Sequence, residues 1–147
     1  MNSSKTRFVA ATLVLALFSV IPAALAEDAA KEPGETKAMT LGVLLYEDFE
    51  LLDVFGPLEM FGNVGPQLEI AMIAEEAGEI KSYQGPKAVA DYGFDDCPHI
   101  DILLVPGGFG TLPLLNNEKT LNWIKERAAK ADITTSVCSG SAILAKA

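Results

Sequence analysis

The sequence predicts an α/β domain in which helices flank a parallel sheet. Two observations predict it. Short strand-like runs recur along the chain, and the clearest, Thr40 to Tyr46, has the continuous hydrophobicity of a strand buried on both faces. Helical-period segments follow them, and the order strand, helix, strand, turn, helix implies right-handed crossovers between parallel strands. The 147 residues, half of them hydrophobic, suffice for one such domain.

Residues 1–26 read as a secretory signal peptide. Lys5 and Arg7 give a basic start, Phe8 to Pro22 is an almost unbroken apolar run, and Ala24-Leu25-Ala26 supplies small residues for cleavage after Ala26. A membrane anchor fits less well, because the run is shorter than the roughly 20 residues a spanning helix needs. The expectation is a secreted or periplasmic protein with no membrane attachment after cleavage. Removing the leader takes two basic residues and no acid. That leaves 9 basic against 20 acidic side chains, a net of −11. Such a surface repels phosphates, so nucleic acid is not an expected partner. Residues 27–39 are polar, include Pro33 and Gly34, and read as a flexible linker. The domain is expected over 40–147.

Thr40 to Tyr46 (TLGVLLY) is the first buried strand. Phe49, Leu51, Leu52, Phe55, Leu58, Met60 and Phe61 then recur at helical spacing. Gly56-Pro57 interrupts them, which predicts a turn and a helix instead of one long helix. Leu68 to Ala74 (LEIAMIA) is the second strand. Glu76 to Pro98, broken by Gly78, Gly85, Pro86 and Gly93, predicts short strands or hairpin pieces. Asp101 to Val105 (DILLV) is the third strand and runs into Pro106-Gly107-Gly108. Asn117 stands where a helix cap belongs, before an amphipathic stretch from Glu118 to Ala131. Ile133 to Val137 (ITTSV) is the fourth strand. Cys138-Ser139-Gly140-Ser141 then turns into a helix start at Ala142.

Ligands of parallel sheets gather at the carboxyl ends of the strands. Three segments fall there: the acidic loop after the first strand, PGGFG after the third, and VCSGS after the fourth. Small residues after Cys138 permit a sharp strand-to-helix reversal, the arrangement of a nucleophile elbow. A cysteine at its apex faces a helix N-terminus, which favours thiolate, and the Ser139 N–H points into the same space as half of an oxyanion hole. The plainer reading of Cys138 is a buried structural cysteine. PGGFG lacks the spacing of a dinucleotide or phosphate loop. Its glycines instead let the backbone approach Cys138, with one N–H to complete the oxyanion hole, or they simply end a strand.

Asp53 is an acid amid Leu51, Leu52, Val54 and Phe55. A carboxyl in an apolar setting tends to keep or share a proton, which makes it a candidate proton donor or acceptor beside Cys138. Its plainer reading is a helix cap. Glu47, Asp48 and Glu50 read as solvated loop acids. His99, the one histidine, precedes the third strand at its amino end, roughly 17 Å from the reacting edge, and is a poor catalytic base. The same separation keeps Cys97 from Cys138, since a disulfide needs Cα atoms within about 7 Å. Two free thiols are expected.

LLYEDFELLDVFGPLEMF, FDDCPHIDILLVPGGFGTL and ITTSVCSGSAILAKA, in that order, resemble the ThiJ/PfpI family. The resemblance runs from about Thr40 to the end and is nearest to the isonitrile hydratase branch. It implies a three-layer sandwich, flavodoxin-like and glutamine-amidotransferase-like. It also implies roles: Cys138 as elbow nucleophile, Asp53 as the acid facing it, Ser139 where that branch carries threonine or serine, and Gly108 with the Ser139 N–H as the oxyanion-binding pair. Further implications are a small-molecule substrate, no metal or organic cofactor, and a homodimer for the full-length domain. Family domains continue for several more strands and helices, and many place a histidine shortly after the elbow helix. The chain reaches only Ala147, so it reads as the front part of a longer domain, with the C-terminal part missing.

Two functional readings result. One is a lyase: cysteine-dependent hydration of an isonitrile-like small molecule. The other is a non-catalytic periplasmic ligand-binding or redox-sensing domain, related to the sensor domains of AraC-type regulators. Protease, glyoxalase or deglycase activity, as in other branches, is disfavoured by the lack of a nearby histidine.

Overall fold

The computed structural model describes residues 37–147. The signal peptide read at 1–26, and the linker 27–39 except its last residues, lie outside the described residues. The elements are β1 Met39–Leu44, α1 Leu51–Phe61, β2 Leu68–Ile73, β3 Gly78–Lys81, β4 Lys87–Ala90, β5 Ile102–Val105, α2 Thr111–Leu114, α3 Glu118–Ala128, β6 Ile133–Ser136 and α4 Gly140–Lys146.

The four expected strands form one sheet in the order β2-β1-β5-β6, parallel throughout; β5 is buried along its whole length, whereas β6 at the edge is exposed or half-buried. Side chains alternate across it, as strand geometry demands. Leu41, Val43, Leu45, Ile102 and Leu104 enter one core with Val54 of α1 and Ala88 and Ala90 of β4. Leu44, Leu103 and Val105 enter the other with Leu121, Trp123 and Ile124 of α3 and Ile143 of α4. The sheet thus lies between α1 with the β3–β4 hairpin on one face and α3 with α4 on the other. This is the α/β sandwich the apolar runs predicted.

Several boundaries differ from the sequence expectation. The break expected at Gly56-Pro57 is absent, and α1 runs through both residues. A mid-helix proline forfeits one amide bond and crowds the preceding turn, at about 3 kcal/mol. Burial on either side offsets that: Val54 is fully buried, and Leu58 packs on the same core. The broken stretch after β2 becomes the antiparallel β3–β4 hairpin. The short helix α2 was not expected. Asn117 caps α3 as the sequence predicts, its side chain accepting the Thr120 N–H at 3.1 Å.

Candidate active site

Cys138 sits where β6 hands over to α4, at φ 52°, in the left-handed region that non-glycine residues rarely enter. Its neighbours hold it there. Val137 N–H donates to Val105 O at 3.1 Å, which keeps the strand on the sheet. Gly140 N–H donates to Val137 O at 3.0 Å, which closes the turn. Strain of this kind persists only where surrounding bonds over-determine it. The side chain of Cys138 is exposed, not buried.

The loop after β5 ties this turn to the loop after β1. Gly107 N–H donates to Asp53 Oδ2 at 3.0 Å, and Gly108 N–H donates to Ser139 Oγ at 3.1 Å. Glu50 N–H donates to Gly107 O at 2.8 Å. Both glycines are required. A Cβ on Gly107 would lie 2.7 Å from Ser139 N and Oγ and 2.9 Å from Asp53 Oδ2. Gly108 has φ +140°, and its Cβ would overlap Asp48 O and lie 2.6 Å from Glu50 N. Asp48 itself is at φ 59° to meet this approach. Asp53 and Ser139, 86 positions apart in the chain, therefore meet on the two faces of one glycine pair.

The expected oxyanion pair is unequal in this state. The Gly108 N–H is engaged by Ser139 Oγ, whereas the Ser139 N–H has no intramolecular acceptor among the described residues. A hydroxyl from the turn after Cys138 occupies the glycine donor that was expected to face a ligand.

Two residues join the site that the sequence reading passed over. Thr111, 4% exposed at the start of α2, lies with its hydroxyl 2.9 Å from Ser139 Oγ. Tyr46 Oη is 3.2 Å from Thr111 Oγ1 and donates to Pro106 O at 2.8 Å. Burial pushes the Tyr46 phenol up to about 12. The Thr111 hydrogen bond opposes this, and the charges of Asp53 and Cys138 add to it. Tyr46 had been read only as the end of a strand. A polar aromatic at the carboxyl end of a buried strand was the available signal.

Other candidates stay apart. His99 pairs with Asp101 at 3.2 Å at the amino end of β5, away from the elbow. Cys97 is half-buried, with its thiol 3.7 Å from Phe94 O, and both cysteines are free. Glu47 and Asp48 are exposed, and Glu50 is engaged by Gln84 at 2.6 Å. No three His, Cys, Asp or Glu side chains gather as metal ligands would among the described residues. A cavity of about 390 Å³ is lined by Leu45, Tyr46, Ile80, Phe94 and Leu114, and by neither Cys138 nor Asp53.

A strained cysteine at a strand-to-helix elbow, backed by a buried carboxylate, places this chain among α/β proteins with a presented thiol. More narrowly, residues 39–147 match the DJ-1/PfpI family, and the chain belongs to it. The isonitrile hydratase of Pseudomonas putida is 34% identical over 110 residues, covering 75% of this chain and 48% of that protein. A ThiJ/PfpI family protein from Pseudomonas syringae superposes with a TM-score of 0.71 at 33% identity, covering 76% of this chain and 46% of that one. Drosophila melanogaster DJ-1beta, at 14% identity and a TM-score of 0.62, shares the fold, covering 74% of this chain and 60% of its own. The chain spans about half the length of the first two relatives.

Proposed function

We propose that this chain carries the nucleophile-bearing part of a small-molecule hydratase of the isonitrile hydratase type. The observation that carries the reading is the convergence of Asp53 and Ser139 on the Gly107-Gly108 pair beside the exposed Cys138. Cys138 sulfur attacks the terminal isonitrile carbon. Asp53 takes the thiol proton and delivers it to that carbon, giving a thioimidate. Water then adds to the same carbon, the C–S bond breaks, and an N-substituted formamide leaves with the thiol restored. Isonitrile and water are consumed in equal amounts, so the cycle needs no oxidant or reductant.

Export, with residues 1–26 as a cleaved signal and 27–39 as a tether to the domain, is part of the proposal. It rests on the basic start, apolar run and small-residue cleavage pattern. The same proposal takes a small-molecule substrate, a homodimer for the full-length domain, and no nucleic-acid partner. The exposure of Cys138 favours a second reading, a ligand-binding or redox-sensing domain.

Turnover separates the two. Wild-type protein incubated with an alkyl isonitrile should form the formamide, followed by mass spectrometry. Cys138→Ser should form none, and Asp53→Asn should be slower by about 10²–10⁴-fold, the range for loss of a positioned proton-transfer group. Full turnover by Cys138→Ser would sink the hydratase reading.

A further inference from the structure

Tyr46, Thr111 and Ser139 form a run of three hydroxyls that ends one residue from Cys138. Its protons can be assigned by elimination. A carbonyl oxygen only accepts, so the 2.8 Å contact with Pro106 O consumes the Tyr46 proton. Tyr46 Oη is then an acceptor toward Thr111. Gly108 N–H can only donate, so Ser139 Oγ accepts from it. Two arrangements of the Thr111 and Ser139 protons keep a hydrogen bond across their 2.9 Å contact; any other leaves two oxygen lone pairs facing each other there. In the first, Thr111 donates to Tyr46, and Ser139 donates to Thr111. In the second, Thr111 donates to Ser139, and the Ser139 proton is released outward. Passing between them rotates two C–O–H groups and breaks no covalent bond.

The arrangements make equal numbers of hydrogen bonds only when an outside acceptor takes the released Ser139 proton. Within the described residues the alternative is Gly108 O at 3.5 Å, too long for a good bond. An empty site therefore holds the first arrangement, and an acceptor beside Cys138 draws the second. An isonitrile nitrogen has no free lone pair. Once sulfur has added to the carbon, that nitrogen becomes imine-like and acquires one.

We propose that Thr111 is a positioning residue that turns the Ser139 hydroxyl outward to donate a hydrogen bond to the nitrogen of the sulfur-bound intermediate, the proton staying on Ser139 Oγ. The proposal rests on Cys138 being the nucleophile of the preceding section. Help that appears only after the attack raises kcat and leaves substrate binding unchanged. The buried phenol is the fixed end of the run, since it stays protonated well above neutral pH.

The test compares wild type, Thr111→Val, Thr111→Ser and Tyr46→Phe in hydration of an alkyl isonitrile. Thr111→Val should lower kcat about 10-fold with KM within about twofold, the loss of one hydrogen bond made after binding. Thr111→Ser should restore kcat. Tyr46→Phe removes the acceptor that holds the first arrangement but leaves Thr111 able to donate to Ser139, so its kcat should fall less than that of Thr111→Val. Equal kcat losses in Thr111→Val and Tyr46→Phe would show a merely structural role and overturn the proposal, as would a Thr111→Val effect confined to KM. A second measurement needs neither turnover nor a variant. In proton NMR of the wild type, the buried Thr111 hydroxyl should show cross-peaks to the Tyr46 ring. After iodoacetamide has placed a carbonyl acceptor on Cys138, those to the Ser139 β protons should grow at their expense. An unchanged pattern overturns the inference. Absence of isonitrile turnover with the expected NMR change defeats only the hydratase reading.

Discussion

Asp53 Oδ2 accepts the Gly107 N–H at 3.0 Å, a bond that joins the first turn of α1 to the loop after β5. Asp53 is buried, so the bond is shielded from water. Asp53→Ala would leave the Gly107 N–H without its acceptor and should destabilise the domain by about 1–3 kcal/mol. Asp53→Asn keeps an oxygen in place and should lose less. Urea unfolding of both variants checks this. Equal loss would mean that the Gly107 bond does not contribute. A stable Asp53→Asn protein also lets a fall in turnover be assigned to the carboxyl's proton.

Gly107→Ala tests the close approach directly. The added methyl meets Ser139 backbone and hydroxyl at 2.7 Å, and backbone cannot swing aside as a flexible side chain can. Overpacking of this kind costs about 1–3 kcal/mol. The elbow should shift with it, and the Cys138 thiol should change its rate with an alkylating reagent. A variant with wild-type melting and wild-type thiol reactivity would show that the loop has room the structure does not display.

The two thiols should separate cleanly by accessibility. Cys138 is exposed at the apex of its turn, whereas Cys97 is half-buried against the Phe94 carbonyl. Ellman's reagent on the native protein should therefore titrate one thiol rapidly and the second slowly or only on denaturation. Peptide mass mapping after brief iodoacetamide treatment should find the label on Cys138. Rapid labelling of both would show that the region around Cys97 opens readily.

The central strands β1 and β5 were legible because a parallel sheet buries both faces at its centre, so LGVLL and ILLV stand out as unbroken apolar runs, while the edge strands β2 and β6 carry polar residues and are partly exposed. The elbow was legible because Cys138 is followed by three small residues and a helix start. Asp53 was legible as an acid among apolar neighbours. What escaped depends on distance in the chain. No local pattern says that Thr111 will lie 2.9 Å from a hydroxyl 28 residues later, or that Tyr46 will meet it from 65 residues earlier. The error at Gly56-Pro57 has a related cause. Local propensity argued for a break, and the packing of Val54 and Leu58, invisible to a local reading, held the helix together.

Tyr46 makes a prediction about pH. Its phenol titrates near 10 in an unfolded chain and is pushed up to about 12 in the fold, with burial the main cause. Below pH 10 both states hold the proton, so this group gives no pH dependence. Above it the unfolded chain loses its proton while the folded one keeps it, so unfolding binds fewer protons and stability falls as pH rises. The fall ends near pH 12, where the folded phenol ionises too. Two units correspond to at most about 3 kcal/mol, and solvent reaching the partly exposed ring lowers that. Lysines and the other tyrosines titrate in the same window, so the measurement is a difference. Urea midpoints of wild type and Tyr46→Phe are compared at about pH 9 and about pH 11. Wild type should lose more stability than the variant over that interval. Parallel losses would mean that the phenol ionises alike in both states, and that burial does not hold its proton.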